Sequence, residues 1–477
     1  MNKLKIFYFS IFLFLCITVY VLYSNILFKL DIYDNLKTKI SYQTKEKLLK
    51  NIFIFKYIQN LEDTIKTKDE IIKRKRKIIF DLSNEKVFNF TKENEFNKSN
   101  LKIRYFQNID FTEMGPRAYF SKNKENLFVI TGTGKLYYTN IDELNPSKEI
   151  KFKKIKTNFS ELIGEENILD DMIITKGLEI IENKVYTSVV FKKNDCYTNT
   201  ILEAELNYKK LAHKIFFEAD MCIPHFTYGT GGSIVKYKDN KILMTIGDWE
   251  YVVEKDFFDN TELNPQTNNN LVGKFISISL DDPKDINIIA KGTRNAQGLF
   301  YDVKHDVIFS SEHGPQGGDE VNIIKNSKEI VNLGWPISSY GDHYGYPDFG
   351  EIPKNKEKYK RAPLKKSHNE YGFLEPLIYF PKESPGASQV LKNNEFENYS
   401  DKYHIIYFGT LGDSNYGSKT LFKYVLDEKF NLTKQEEFYI DDRIRDMIYV
   451  KKLNIMVLFL EGSGSIAIIE NQNKKVS

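Results

Sequence analysis

Apolar positions fall along this chain in three different rhythms. From Ile6 to Phe28 the residues are almost continuously apolar and none is charged. As a helix, a run of that length crosses a hydrocarbon layer of about 30 Å. From Asp31 to Leu82 there is no Gly or Pro, and Leu48, Ile52, Phe55 and Ile58 recur at helical spacing, extended by Leu61 and Ile65. That period predicts a helical stalk. Residues 83–100 are polar and read as a linker. After Leu101 the rhythm shortens to apolar or alternating runs such as Leu127–Ile130, Lys184–Val190, Lys241–Ile246, Lys274–Ile278 and Ile405–Phe408. Gly, Asn, Asp and Lys turns break these runs, and long amphipathic helices are almost absent. Many short strands with regular turns predict an all-β sandwich, barrel or propeller.

One phrase decides among these. A polar turn followed by an apolar strand recurs at 238–245, 304–311 and 452–459, with looser copies at 125–130 and 182–188. A turn–strand unit repeating every several tens of residues is the mark of propeller blades. The part after the stalk, about 375 residues, suits about six blades of four strands. The expected plan is therefore a cytoplasmic tip and transmembrane anchor at 1–30, a helical stalk at 31–82, a linker at 83–100, and an all-β, six-bladed β-propeller at 101–477.

Charge sets the orientation. Lys3 and Lys5 precede the first apolar run, which places the N-terminus in the cytoplasm and the propeller on the periplasmic or extracellular side of a single-pass protein. The run is long and lacks a small-residue cleavage site, which favours an uncleaved anchor over a signal peptide. The stalk offers a route to oligomers. The 477 residues are 41% hydrophobic and 14% aromatic, a composition that buries a core. A net charge of +3, from 68 basic and 65 acidic residues, gives no support to a nucleic-acid partner. The three cysteines show no metal-ligand spacing. Cys196 and Cys222 read equally as a disulfide in an exported domain or as two buried thiols.

Candidate chemistry concentrates between Gly292 and Gly341. Gly314-Pro315 with Gly317-Gly318 makes a tight loop with outward carbonyls, followed at once by Asp319 and Glu320. Carbonyls beside carboxylates suit a hard cation such as Ca²⁺. Arg294 and Asn295 lie just upstream, where a guanidinium can grip a carboxylate with two hydrogen bonds. Taken by itself, the glycine loop reads more readily as a blade turn capped by Asp319 than as a cation site.

The whole stretch resembles the PQQ-dependent sugar dehydrogenases, the glucose/sorbosone dehydrogenase family. The resemblance rests on Gly292 to Leu299, on Glu312 to Asn322 and on Asn332 to Pro336, in order and at matching spacing. Weaker matches extend it from about Gly115 to Ile469. It implies a six-bladed propeller carrying pyrroloquinoline quinone (PQQ) and Ca²⁺ on its loop-rich face, oxidising an aldose at C1. It implies calcium at Gly314 and Pro315, supported by Asp319 and Glu320. It implies PQQ contacts at Arg294, Asn295, Arg443, Arg445 and Asp248. The family's general base, a histidine, falls at Gly229 here; His225, four residues earlier, is the substitute candidate. The family arginine of the following motif is Ser233, and a family lysine falls near Gly412. Scaffold and calcium loop thus match better than the catalytic apparatus. Two readings remain: an aldose dehydrogenase, favoured by the retained arginines, or an inactive propeller that binds carbohydrate or a cell-envelope partner.

Overall fold

The computed structural model describes residues 85–96, 99–108, 117–144, 149–164, 174–224, 226–250, 264–325, 328–343, 361–412 and 416–472, together with 66 and 68. The expected anchor, nearly all of the expected stalk and His225 lie outside these residues. Among the described residues no helix is long and apolar enough to cross a membrane. Contacts divide the chain into two units, Met1–Arg76 and Lys77–Ser477.

The architecture of the second unit is all-β and propeller-like, built from antiparallel four-stranded sheets. Sheet I comprises Ala118–Lys122, Asn126–Thr131, Leu136–Asn140 and Glu149–Thr157. Sheet II comprises Thr175–Ile181, Lys184–Lys193, Cys196–Glu205 and Lys214–Glu218. Sheet III comprises Gly231–Tyr237, Lys241–Ile246, Lys274–Ser279 and Ile286–Lys291. Sheet IV comprises Ala296–Asp302, Val307–Glu312, Asp319–Lys325 and Ile378–Phe380. Sheet V comprises Ala387–Lys392, His404–Thr410, Thr420–Leu426 and Leu432–Tyr439. Sheet VI takes Ile444–Val450, Ile455–Leu460 and Ser465–Asn471 from the end of the chain and Leu101–Gln107 from the other end of the unit. The first strand of each sheet touches the first strand of the next, and sheet VI returns to sheet I, so the ring is closed.

Burial explains why the strands differ in composition. Second strands such as Asn126–Thr131 and Ile455–Leu460 are buried along their whole length, because a neighbouring sheet covers each face. They therefore read as unbroken apolar runs. Outer strands such as Glu149–Thr157 alternate, and Leu432–Tyr439 is mostly exposed and carries Lys434, Glu436 and Glu437. The core is divided among the gaps between sheets. Phe120, Leu127, Val457 and Phe459 fill the gap between VI and I. Tyr186, Ile201, Ile234 and Met244 fill that between II and III, and Val307, Phe309, Val390 and Phe408 that between IV and V.

Two features differ from the sequence expectation or resolve it. Residues 83–100, read as a linker, contain the strand Glu85–Glu95, which pairs with Leu101–Gln107 on one side and Glu149–Thr157 on the other. It joins sheets I and VI, and with the short strand Lys210–Leu211 paired to Glu149–Thr157 they make one ten-stranded sheet. Its outer half is exposed on both faces, so hydropathy carries no strand signal there. Cys196 and Cys222, whose spacing allows either state, form a disulfide. The bridge between Tyr197 and Ile223 sets the neighbouring cysteines side by side.

That bond closes a loop across 26 residues. Cys222→Ser should cost about 3 kcal/mol of stability and lower the melting temperature by several degrees. Wild type melted in reductant should fall to the same value. Identical melting of oxidised wild type, reduced wild type and variant would show that the thiols do not pair.

Candidate functional site

The first strands of the sheets all enter the ring from one face, so the residues just before them converge. Arg117 precedes Ala118, Tyr228 and Gly229 precede the first strand of sheet III, and Arg294 and Asn295 precede that of sheet IV. Gly386 precedes the first strand of sheet V, Arg443 precedes that of sheet VI, and Arg445 is its second residue. These side chains, with Glu250, Gln297, His313, Leu411 and Gly412, line a cavity of about 290 Å³. Below it a channel of about 740 Å³, lined by all six first strands, shares Gln297 and Arg445 with the cavity.

The cavity is strongly cationic. Four arginines face it, and Glu461, the residue after the second strand of sheet VI, ties three of them together. Its Oε1 accepts from Arg443 Nη2 at 3.1 Å, its Oε2 accepts from Arg445 Nε, and Arg117 Nε lies 3.8 Å away. Burial alone would raise the Glu461 carboxyl, but Arg445, Arg117 and Arg443 outweigh it and hold it down at about 2. Burial, then the charge of Arg445, pushes Arg117 downward. Lys176, buried beside the cluster with its ammonium 5.5 Å from the Phe226 ring, is driven well below its ordinary value by burial and then by Arg117 and Arg445. His313 is lowered to about 3 by burial first and then by all four arginines, so its imidazole is neutral at physiological pH.

A polar chain locks three sheets together at the floor. Arg445 Nη1 donates to Gln297 Oε1 at 3.1 Å, Gln297 Nε2 donates to Asn295 Oδ1 at 2.8 Å, and Gly231 N donates to the same oxygen at 3.1 Å. Arg294 lies 5.5 Å from the Trp335 ring centroid, and its Nη1 donates to the carbonyls of His313 at 3.1 Å and Gly314 at 2.6 Å.

The predicted residues therefore separate into groups. Arg294, Asn295, Arg443 and Arg445 meet at one cavity. Asp248 stands one layer behind it and is 1% exposed. Its Oδ2 accepts from Trp335 Nε1 at 2.9 Å and its Oδ1 from Glu250 N at 2.9 Å, while burial pushes its carboxyl up to about 6. The Gly314 carbonyl faces Arg294, and the Pro315 carbonyl accepts from Ser384 Oγ at 3.1 Å. Asp319 turns its oxygens to backbone amides, Oδ1 to Gly314 N at 3.1 Å and Oδ2 to Gly386 N and Ala387 N at 2.8 Å each. It shapes the loop rather than presenting a free carboxylate.

Glu320 is differently placed. It and Glu312 are buried together, sharing Asn322 Nδ2 at 3.4 and 3.2 Å, and His368 Nε2 lies 3.5 Å from Glu320 Oε1. Burial first, then the charge of Glu320, pushes the Glu312 carboxyl up. Both line a space of about 10 Å³ beside Gly314, Gly318 and Leu333, room for one water or one ion. A buried carboxylate pair beside backbone carbonyls is a donor set that suits a hard divalent cation.

Sequence reading missed Arg117, Glu312, His313 and Glu461. One positional signal was available for the acids. Glu312 ends the second strand of sheet IV and Glu461 follows that of sheet VI, each facing the arginine that opens its own sheet's first strand. On the opposite face, Asp302, His305 and His404 bring ligand atoms within 4.8 Å of one another. Lys392 Nζ, 3.1 Å from Asp302 Oδ2, already supplies a cation there.

The family model described as Glucose / Sorbosone dehydrogenase matches residues 169–468, more than half the chain. A Synechocystis protein described only as uncharacterized is 24% identical over 277 residues, covering 54% of this chain and 60% of its own length. The aldose sugar dehydrogenase YliI of Escherichia coli is 29% identical over 127 residues, covering 26% of this chain and 29% of its own. The chain thus spans less than two thirds of either relative. Among solved structures, the apo-form of the soluble aldose sugar dehydrogenase of E. coli superposes with a TM-score of 0.54 at 17% identity, covering 74% of this chain and 95% of that one. The PQQ domain of pyranose dehydrogenase from Coprinopsis cinerea gives 0.51 at 11% identity, covering 80% and 97%. At such identities these two structures speak to the fold alone.

Glu461→Gln removes the negative charge the buried guanidiniums share and turns one of its two accepting oxygens into a donor, which should cost about 3–5 kcal/mol at neutral pH. The Glu461 pKa lies below its ordinary 4.5 in the folded state, so its contribution is present above that value and lost as pH falls toward about 2. Stability measured by denaturant titration should show that acid limb in wild type and a reduced one in the variant. Parallel pH curves would mean that the carboxylate does not hold the cluster.

Proposed function

This chain belongs to the glucose/sorbosone dehydrogenase family, and from that premise we propose that it is a PQQ- and calcium-dependent oxidoreductase that oxidises an aldose at C1. One observation carries the reading: Arg294, Asn295, Arg443 and Arg445, distant in sequence, line a single cavity. We read the six sheets as the six blades of a propeller whose axial basin is this site.

The residues present fit the cofactor. Guanidiniums pair with carboxylates through two parallel hydrogen bonds and stay charged at every relevant pH. Arg117, Arg443 and Arg445 on one wall and Arg294 on another offer such partners to a tricarboxylate such as PQQ. Bound there, PQQ would supply the two-electron acceptor for hydride leaving the sugar. The protein's part is to orient and to exclude water. Asn295 and Gln297 are fixed by their mutual hydrogen bond, so the floor is set before a guest arrives. Tyr228, 71% exposed at the cavity's edge, offers an aromatic face to a sugar ring. Calcium fits best at Glu320 and Glu312, two buried carboxyl groups beside backbone carbonyls.

The disulfide favours the exported side of a membrane for this unit, with the apolar run at 6–28 as its anchor. A second reading, a propeller that binds carbohydrate without oxidising it, draws on Gly229, which stands where the family places its base.

Full-length protein reconstituted with PQQ and Ca²⁺ should reduce an artificial electron acceptor when aldoses are added. No reduction across a broad sugar panel, with PQQ bound, would leave only the binding reading. Replacing Arg443 with Gln removes a charge-assisted contact worth about 1.5–3 kcal/mol, so PQQ should bind about 10- to 100-fold more weakly in an absorbance titration. Calcium should raise the melting temperature of wild type by mass action but not that of Glu320→Gln. Equal calcium responses would place the ion elsewhere.

A further inference from the structure

The cavity wall contains many cations and hydrogen-bond donors, but dehydrogenation also needs somewhere for a proton to go. When a carbinol carbon loses its hydrogen with both bonding electrons, the hydroxyl proton must be accepted by a base. Arginine has no acceptor, and the Asn and Gln amides are not bases at this pH. His313 lines the same wall as the four arginines, whose charge opposes a further positive charge on its ring. Of the described residues lining the cavity, Glu250 alone carries a carboxylate.

Glu250 is also built into place. A Cβ added to Gly229 would meet Asp248 Oδ1 at 2.8 Å, Glu250 N at 3.0 Å and Glu250 Cγ at 3.3 Å. The volume a side chain at 229 would need is therefore partly taken by the stem of Glu250, and the glycine makes room for it. The loop holding it is strained. Trp249 and Glu250 are consecutive non-glycine residues in the left-handed region, with φ of 53° and 60°. Such a conformation persists at non-glycine residues only where the surroundings over-determine it. The surroundings do fix it. Glu250 N donates to Asp248 Oδ1 at 2.9 Å and Trp249 N to the Gly229 carbonyl at 2.9 Å. The buried Trp249 indole donates to Asn199 Oδ1 at 3.2 Å. The whole turn is pinned so that residue 250 lies on the cavity wall.

A carboxylate there works against an anionic cofactor, because it cancels part of the field the arginines create. Its placement makes sense for chemistry rather than for cofactor affinity. We infer that Glu250 is the proton acceptor of this site, taking from the loop beside Gly229 the part the family gives to a histidine. The inference rests on the reading of the site as a quinone-dependent aldose dehydrogenase. The sugar's C1 hydroxyl gives its proton to a Glu250 carboxylate oxygen as its C1 hydrogen leaves with two electrons to the quinone. C1 becomes the carbonyl of a lactone, its two electrons passing to the acceptor that bound PQQ would supply.

The test uses the full chain loaded with PQQ and Ca²⁺, comparing wild type, Glu250→Gln and Glu250→Asp, each first checked for a wild-type melting temperature. Two quantities are read: PQQ affinity by absorbance titration, and anaerobic single-turnover reduction of bound PQQ by an aldose. Glu250→Gln should bind PQQ as tightly as wild type or several-fold more tightly, since a repelling charge is gone. It should nevertheless reduce PQQ at least ~100-fold more slowly. Glu250→Asp should keep a measurable fraction of the rate. A wild-type reduction rate in Glu250→Gln overturns the inference, as does a slow rate explained by weakened PQQ binding. Absence of aldose-dependent reduction in wild type with PQQ bound overturns the dehydrogenase reading, and the inference with it.

Discussion

Three guanidiniums can share a desolvated basin only around a common counter-charge, and Glu461 provides it. Like charges a few ångströms apart repel by several kcal/mol at the dielectric of a protein interior. Arg117, Arg443 and Arg445 reach the basin from residues 117 and 443–445, brought together where sheet VI meets sheet I. Each would otherwise turn toward water. With its carboxylate bonded to Arg443 and Arg445 and 3.8 Å from Arg117, Glu461 offsets the repulsion of their convergence and fixes their planes. The remaining positive charge is what an anionic guest would meet.

This cluster depends on closure of the ring. Sheet VI is completed by Leu101–Gln107, and the strand Glu85–Glu95 ties that sheet to sheet I. Arg117 opens sheet I, whereas Arg443, Arg445 and Glu461 belong to sheet VI. The seam at which the ring closes is therefore also the wall that carries most of the charge. Sheet IV uses a related device on the other side: Glu312 Oε2 accepts from Thr293 Oγ1 at 2.5 Å and Arg294 N at 2.8 Å, fixing the strand entry that carries Arg294. In both sheets a carboxylate at the end of the second strand steadies the start of the first.

How much of this was legible in the sequence depended on how local each signal is. Strands in the middle of a sheet announced themselves because both faces are buried, as in Ile455–Leu460. Glu85–Glu95 did not, because much of it is exposed and only its pairing makes it a strand. Arg294, Asn295, Arg443 and Arg445 were readable because they sit within dense motifs. Arg117 was not, since nothing nearby marks it and only ring closure brings it in. Asp319 read as a metal ligand from its place beside Gly-Pro, yet three backbone amides occupy it. The pairing of Cys196 with Cys222 was invisible in their spacing and depends on a single β-bridge.

The site's charge balance also constrains the order of events. Before a guest enters, the basin holds four arginines against Glu461 and Glu250, and Lys176 beneath them is pushed toward its neutral form. An anion entering would offset the arginine charge that adds to burial in lowering Lys176. The polar chain from Arg445 through Gln297 to Asn295 ties the charged wall to the strand entry that carries Arg294. Arg294 in turn reaches the Gly314 carbonyl beside the buried pair Glu312 and Glu320. Arg294 N also donates to Glu312 Oε2 at 2.8 Å, so hydrogen bonds and the Arg294–Asn295 peptide together tie the charged wall to the buried pair.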